Sequence, residues 1–299
     1  VNLKESAHRL RTMIEQLEQD GALYEPDRLR MRLEALDHLD SWLMDGQLNP
    51  SAEPAFDADL EARARLLCSR LESANAGLYN TIRKEIQMGA GTRALLKIVP
   101  SSWSAGHKDQ SSPTGEGYDY LDELIGGIFQ FETPDVARVQ LTPEMVRYQP
   151  TPARHILDLI RRTALAERDV FIDLGSGLGK VPLLVSICTG ARSIGIELDG
   201  AYVECARQCA EGLNLKNAIF LHQDARTAVL SRGTVFYLYT PFTGSILRTV
   251  LDRLQQEACN RSIRVCAYGP CVSTIAEEPW LLTLDHLRPD RIVIFTSRD

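Results

Sequence analysis

Val170-Phe-Ile-Asp-Leu-Gly-Ser-Gly-Leu-Gly-Lys180 decides the reading of this chain. It begins as a short apolar run, the pattern of a strand buried in a parallel sheet. Asp173 closes the run, and Gly175, Gly177 and Gly179 follow at alternate positions. A second apolar run, Val181 to Cys188, has helical length. Strand, glycine turn and helix in this order make a loop that cradles a nucleotide. Without Cβ atoms the backbone can approach a ligand closely, and the helix that follows points its N–H groups at it.

Working outward, strands and helices alternate on the C-terminal side of this turn. Strand-like runs cover Val170–Leu174, Ser193–Glu197, Ala218–His222, Val235–Tyr239 and Ile263–Tyr268. Helical runs lie between them at Lys180–Cys188, Asp199–Leu213, weakly at Ala225–Leu230, and at Gly244–Glu257. This alternation predicts an α/β fold with a doubly wound, mostly parallel sheet and right-handed crossovers. The pattern then changes. Trp280–Leu287 and Arg291–Ser297 read as two strands joined by a tight turn at Arg288-Pro289-Asp290, an antiparallel C-terminal hairpin.

On the N-terminal side the spacing predicts three helices: residues 3 to 19, a second starting near Pro26 with its break marked by Asp45-Gly46 and Asn49-Pro50, and a third from Asp57 to about Met88 with a kink near Gly77. Such helices must bury their apolar stripes on each other, on the main domain or on a second copy, so a helical cap or a homodimer arm is expected. Residues 100–117 are rich in Ser, Gly and Pro and read equally as an active-site lid or a linker, with Trp103 and His107 within it. Pro152 suits the first turn of a helix with Thr151 as its cap, and His155 on that helix is read as structural. The expected organisation is a helical N-terminal region over 1–99, a lid and connecting segment over 100–147, and a nucleotide-binding domain over 148–299.

Composition narrows the class. The 299 residues are 44% hydrophobic and 24% charged, ordinary proportions for a soluble globular protein. No window approaches the roughly 18 uninterrupted apolar residues of a membrane span. The opening VNLKESAHRL lacks the apolar centre of a secretion signal, and its valine start leaves room for residues before it. A net charge of −7 argues against DNA or RNA as partner, since a nucleic-acid binder carries at least a basic stripe. The seven cysteines read as reduced thiols of a cytoplasmic protein; Cys271, near the expected pocket, is a candidate reactive thiol. Cys205 and Cys209 lie one helical turn apart without a histidine or second pair to complete a zinc set, and no metal site is expected.

The glycine turn alone does not name its nucleotide, because dinucleotide enzymes use one too. Here the spacing is Gly-x-Gly-x-Gly after an aspartate. Glu197 closes the second strand, where a carboxylate accepts two ribose hydroxyls, a feature that would also suit NAD. Gln223-Asp224-Ala225 follows the third strand, where a carboxylate can receive an adenine amino group. With the closing hairpin, residues from about Tyr148 to Asp299 resemble the class I S-adenosylmethionine-dependent methyltransferases. The resemblance implies a seven-stranded sheet with an antiparallel last strand. It implies S-adenosyl-L-methionine as cofactor, held by Asp173, Gly175, Ser176, Gly177 and Gly179, with Glu197 on the ribose and Asp224 on the adenine side. The loop also resembles that of the non-SET histone-lysine methyltransferase group, whose asparagine-bearing motif after the fourth strand has no match here. The lysine acceptor is therefore not carried over.

The acceptor should enter near the carboxyl end of the fourth strand, Tyr237-Leu-Tyr-Thr-Pro-Phe242. Amine-methylating relatives often carry an Asn- or Asp-Pro-Pro-aromatic motif there; Thr240-Pro241-Phe242 keeps only the proline and the aromatic residue. Thr240 is either a substrate-orienting residue or part of a strand-to-helix turn capped by Thr243-Gly244. Tyr268, at the end of the fifth strand, is the better-placed candidate base; His222 and His107 are others, and Tyr148 could close over the cofactor. Two further readings compete with methyl transfer to a protein side chain or small molecule: a non-catalytic cofactor-binding module whose helical N-terminus mediates assembly, and an NAD-dependent oxidoreductase, which the glycine spacing and the hairpin disfavour.

Overall fold

A computed structural model describes residues 3–48, 58–99, 113–132, 134 and 141–298. Trp103 and His107 lie outside the described residues. The chain divides into two compact units, residues 1–82 and 83–299.

The first unit holds α1 (Leu3–Gln19), α2 (Leu29–Leu48) and the greater part of α3 (Ala58–Gln87). Asp20 ends α1 and accepts the Ala22 N–H at 3.1 Å, and Pro26 opens a short 3-10 turn that runs into α2. Their apolar stripes meet in one cluster that includes Ile14, Leu23, Leu39, Leu67 and Leu71. Within it Arg32 is buried, its guanidinium satisfied by Asn75 (2.6 Å) and the carbonyls of Leu23 and Glu25. Asp45-Gly46 does not end α2, which continues to Leu48, next to Asn49-Pro50 outside the described residues; α3 is one continuous helix through Gly77. A glycine inside a helix costs only about 1 kcal/mol, which packing elsewhere along the helix offsets.

The second unit continues with α4 (Gly91–Leu96), α5 (Tyr120–Phe129) and α6 (Ala153–Thr163) and then enters the sheet. In order follow β1 (Val170–Leu174), α7 (Lys180–Thr189), β2 (Arg192–Glu197), α8 (Gly200–Gly212), β3 (Ala218–His222), β4 (Val235–Tyr239), α9 (Gly244–Ala258), β5 (Arg264–Tyr268), α10 (Cys271–Ala276), β6 (Leu281–Leu282) and β7 (Val293–Ser297). Among the described residues the sheet has seven strands in the order β3-β2-β1-β4-β5-β7-β6. The first five run parallel; β7 lies antiparallel between β5 and β6. This is the doubly wound arrangement expected, and it places the ends of β1 and β4, where the strand order reverses, beside each other. Alternate residues divide the faces. Phe236 and Leu238 pack with Ile246, Val250 and Leu254 of α9, whereas Phe171 and Tyr237 stack at 6.3 Å on the opposite face.

Several local expectations are corrected. The strand expected over Trp280–Leu287 shrinks to Leu281–Leu282, because Leu284 and Leu287 face solvent. The chain does turn at Pro289-Asp290, but within a longer connection between β6 and β7, and the Pro289 and Asp290 carbonyls accept the N–H groups of Gly269 (2.9 Å) and Gly115 (3.0 Å). No helix forms at Ala225–Leu230, where Arg253 holds the carbonyls of Ala225, Arg226 and Ala228 instead. Thr151 does not cap α6. Its hydroxyl bonds the Tyr237 hydroxyl at 2.8 Å, and the Asp122 carboxylate takes the Ala153 N–H at 2.8 Å. The side chain of Thr243 likewise leaves α9 uncapped; Glu144 caps it through the N–H groups of Ser245 and Ile246 and the Ser245 hydroxyl. All seven cysteines are free thiols. Burial pushes those of Cys188, Cys209 and Cys266 up to about 12, while Cys259, closing α9, is exposed.

Candidate functional site

The glycine turn is held against β2. The N–H groups of Gly175 and Ser176 both donate to the Ile196 carbonyl, at 2.9 and 3.0 Å, and Gly179 N–H closes back on Ser176 at 2.8 Å. Two of its glycines are required by contact as well as by backbone angle. A Cβ on Gly177 (φ 52°) would lie 2.0 Å from Tyr148 Cε2, and one on Gly175 (φ 89°) would lie 2.3 Å from Pro241 Cβ. The turn is thus pressed between the Tyr148 ring and the chain leaving β4. Glu197, at the end of β2, accepts Gly177 N–H at 2.8 Å through one oxygen and Asp199 N–H at 2.9 Å through the other. A carboxylate has about four acceptor positions, so two remain for ligand hydroxyls.

Around the turn lies a cavity of about 1090 Å³. The turn contributes Asp173, Ser176 and Lys180, the ends of β2 and β3 contribute Glu197 and Asp224, and Tyr148 forms part of the wall. Asp173 is 2% exposed. Burial, and then the neighbouring Glu197 charge, push its carboxyl well above the usual carboxylate range, and no hydrogen bond from the described residues relieves it. Burial also raises Glu197, against the pull of the Asp199 and Gly177 N–H groups. The Ser176 hydroxyl is buried without a partner. Asp224 differs: Arg226 grips its carboxylate at 2.6 Å and lowers it. An adenine amino group would have to share that carboxylate with Arg226.

At the far end of the cavity the wall is apolar and aromatic: Met145, Val146, Tyr239, Pro241, Phe242 and Ile246. Thr240 reaches the wall, but its hydroxyl is committed to the backbone. It donates to the Tyr268 carbonyl at 3.0 Å and accepts Cys271 N–H at 3.1 Å, and the residue holds a φ of 37°. The side chain shapes the turn and leaves no hydroxyl free for an acceptor. Tyr268 does not line the cavity. Its ring packs between Tyr239 (4.4 Å) and His155 (4.7 Å), and its hydroxyl donates to the Gly115 carbonyl at 3.2 Å. Its neighbour in register, Tyr239, faces the cavity instead. His222 bonds the Leu198 carbonyl at 3.0 Å beside Gly200 and is likewise off the wall. His155 is buried on the Gly115 carbonyl, as a structural histidine would be. Cys271 sits in the first turn of α10, 2% exposed, with its thiol pushed up by burial, so it is no reactive thiol.

Glu116, Lys180, Tyr202 and Tyr239 are among the wall residues that were not singled out from the sequence. Burial first, with the Glu116 charge adding, pushes the Tyr239 phenol up to about 12. Lys180 immediately follows the last glycine and could have been read from the turn. Tyr239 could have been read from strand alternation. Glu116 gives no local signal. Among the described residues no group of three or more His, Cys, Asp or Glu is arranged to hold a metal ion, and no helix is long and apolar enough to cross a membrane.

The donor set fits one ligand chemistry better than another. The wall carries the carboxylates Glu116, Asp173, Glu197, Asp199 and Asp224 against the cations Arg147 and Lys180. S-adenosylmethionine bears a sulfonium, an ammonium and one carboxylate, a net positive charge that relieves the buried acids. A dinucleotide would bring an anionic diphosphate to the same acids and be repelled.

The family model described as histone methylation protein DOT1 matches residues 146–237. An RNA methyltransferase from Salinibacter ruber, solved with S-adenosyl-L-homocysteine, is similar at 23% identity over 50% of this chain and 92% of that one, with a TM-score of 0.41. A SAM-dependent methyltransferase from Aquifex aeolicus is similar at 15% identity over 48% and 89%, with a TM-score of 0.40. No curated protein matches. Strand order, glycine turn, the acids at the ends of β1 and β2 and the family match over 146–237 together show that the second unit carries the Rossmann-like fold of the class I S-adenosylmethionine-dependent methyltransferases.

Proposed function

We propose that this protein binds S-adenosylmethionine in the acid-lined cavity and transfers its methyl group to a protein side chain or small molecule entering beside β4. The observation that carries this reading is Asp173, a buried carboxylate on the cavity wall with no partner among the described residues and with Glu197 beside it. Such a group is costly unless a cation meets it. The cofactor, when bound, supplies an electrophilic methyl on a cationic sulfur.

The chain's own residues do the rest. Asp173 meets the ammonium, Glu197 offers its spare acceptor positions to the ribose hydroxyls, and Tyr148 covers the glycine turn. The apolar far wall, from Met145 to Phe242, excludes water and holds an acceptor in line at short range, where most of the acceleration of a displacement can arise. No histidine lines the cavity among the described residues. The arrangement suits an acceptor that reaches the site already nucleophilic, with no early proton transfer.

Calorimetry with S-adenosylhomocysteine and NADH tests the cofactor: the former is expected to bind in the micromolar range, and preference for NADH would overturn the reading. Methyl transfer from labelled cofactor into fractionated lysate tests the rest. Label in macromolecules supports a protein acceptor, and label in the small-molecule fraction supports the other. Binding without any label would make the protein a cofactor-binding module.

A further inference from the structure

The segment Gly115-Glu-Gly-Tyr118 is tied down on both sides of Glu116. Gly115 N–H donates to the Asp290 carbonyl at 3.0 Å. The Gly115 carbonyl accepts from Arg154 (2.7 Å), from the His155 ring (2.8 Å) and from the Tyr268 hydroxyl (3.2 Å). Arg154 also donates to the Gly117 carbonyl, and the Tyr118 hydroxyl donates to the Pro150 carbonyl at 2.9 Å. Glu116 itself reaches the cavity wall, and its carboxylate makes no hydrogen bond or ion pair among the described residues. Its neighbours fix its place and leave its acceptor positions open to a ligand.

That place is the acceptor end. The Tyr268 hydroxyl that meets Gly115 carries a ring packed at 4.4 Å on Tyr239, the last residue of β4. The Glu116 charge adds to burial in raising the Tyr239 and Tyr268 phenols, whereas Asp173 answers to burial and to Glu197. The remaining surface at this end is made of rings and apolar groups, Tyr239, Pro241, Phe242 and Met145. A slot of this kind, with one free carboxylate and no histidine, suits a flat nitrogen acceptor that is neutral before it arrives. A carboxylate beside a basic nitrogen favours the protonated form, which has no lone pair for attack. An alkylamine is only about 0.1% neutral at pH 7.5, before Glu116 lowers that share further, whereas an imidazole is about 90% neutral. An imidazole also carries its lone pair and its N–H on separate ring nitrogens, so one can face the methyl while the other donates to a carboxylate.

We infer that Glu116 is a catalytic residue that accepts the ring N–H of an imidazole acceptor, either a histidine side chain or a small imidazole compound. The inference rests on the methyl-transfer reading proposed above. The lone pair of the bare ring nitrogen forms the new N–C bond, and the carbon–sulfur bond breaks with its electron pair left on sulfur. The sulfonium becomes a neutral thioether, and the ring becomes an imidazolium. Its positive charge develops beside Glu116, so the carboxylate binds the transition state more strongly than the neutral acceptor. The N–H proton then passes through Glu116 to solvent as the methylated imidazole leaves.

The test follows labelled methyl from S-adenosylmethionine into N-acetylhistidine methylamide, N-acetyllysine methylamide and fractionated lysate. Methylhistidine or another N-methylimidazole is expected in the first or the last: in hydrolysed protein for a histidine side chain, in the small-molecule fraction for the other source. With that acceptor kcat/KM should rise with pH through about 6.5 and level off by about pH 8, where an alkylamine would still be climbing. Glu116→Gln should lower kcat/KM about 10- to 100-fold and leave S-adenosylhomocysteine affinity within about twofold by calorimetry; Glu116→Asp should recover part of the loss. Label on lysine or on any group other than an imidazole nitrogen would overturn the inference and leave methyl transfer standing. So would a glutamine variant with full turnover, or one that binds S-adenosylhomocysteine as weakly as it turns over. A wild-type chain that binds S-adenosylhomocysteine and labels nothing would overturn methyl transfer and the inference together, and one that does not bind it would overturn the cofactor reading itself.

Discussion

Asp173→Asn separates what the buried carboxylate costs the empty protein from what it contributes to the ligand. The carboxyl titrates higher in the folded chain than in the unfolded one, where it sits near 3.9. The folded state therefore binds more protons between those two values, and its stability falls as pH rises through that window, flattening above the folded value. The slope while the group is titrating is at most about 1.4 kcal/mol per pH unit. For a domain of this size each kcal/mol moves Tm by about 2–4 °C. The asparagine is nearly the same shape and has no charge to bury. Without ligand, wild type and variant should melt together below the unfolded value and diverge as pH rises, with the variant the more stable. Glu197, raised as well, gives both proteins a slope of the same sign. Saturating S-adenosylhomocysteine should reverse the order at pH 8, because the ammonium relieves the wild-type carboxylate while the variant binds about 10- to 100-fold more weakly. Thermal melts from about pH 3 to 8 with and without the ligand read both effects. Parallel pH profiles, or a ligand-free wild type more stable than the variant at pH 8, would refute the reasoning.

Other perturbations test the surrounding geometry. Gly177→Ala puts a Cβ where the Tyr148 ring stands and forces a non-glycine residue to φ 52°; a loss of about 1–3 kcal/mol and of S-adenosylhomocysteine binding is expected, with stability partly recovered in Gly177→Ala/Tyr148→Ala. Unchanged binding by calorimetry would show that the turn is not the cofactor's cradle. Glu144→Ala removes the cap of α9 and frees the segment leading to Tyr148, so both Tm and ligand affinity should fall; a fall in Tm alone would confine Glu144 to capping. Thr240→Val strands the buried Cys271 N–H and should cost about 1–3 kcal/mol, while Thr240→Ser keeps both bonds and should be nearly neutral in melts and in methyl transfer. A large loss of turnover in the serine variant at unchanged Tm would return Thr240 to a direct part in the reaction.

What could be read from the chain in advance follows the range of the interaction that decides it. β3 and β4 fall where expected, since a run of apolar residues between turns is a local signal. The glycine turn is local too. The caps of α6 and α9 were misassigned to Thr151 and Thr243, the adjacent hydroxyls, because the carboxylates that do the work, Asp122 and Glu144, come from distant parts of the chain. β6 was overestimated because Leu284 and Leu287 look like strand residues, and only their exposure shows otherwise. The six-residue α10 was missed because Cys-Val-Ser-Thr-Ile-Ala has too few residues to show a period, and with it went the burial of Cys271. Tyr268 was placed at the correct end of the sheet, and it shares a face with its register partner Tyr239, but it stands one strand farther out, packed on His155 and off the cavity wall. What separates the two is strand order, with β4 beside β1 and β5 one strand beyond, and that order has no local signal in the sequence.

The distribution of the thiols has a practical use. Cys259 is the one exposed cysteine, and it closes a 15-residue helix whose opposite end, at Thr243 and Ile246, borders the cavity. At 1.5 Å per residue that helix spans about 22 Å. A maleimide dye added to the unmodified protein should therefore attach first at Cys259, within energy-transfer range of a fluorescent nucleoside and clear of its binding wall. Occupancy of the cavity could then be followed optically without engineering a label into the chain.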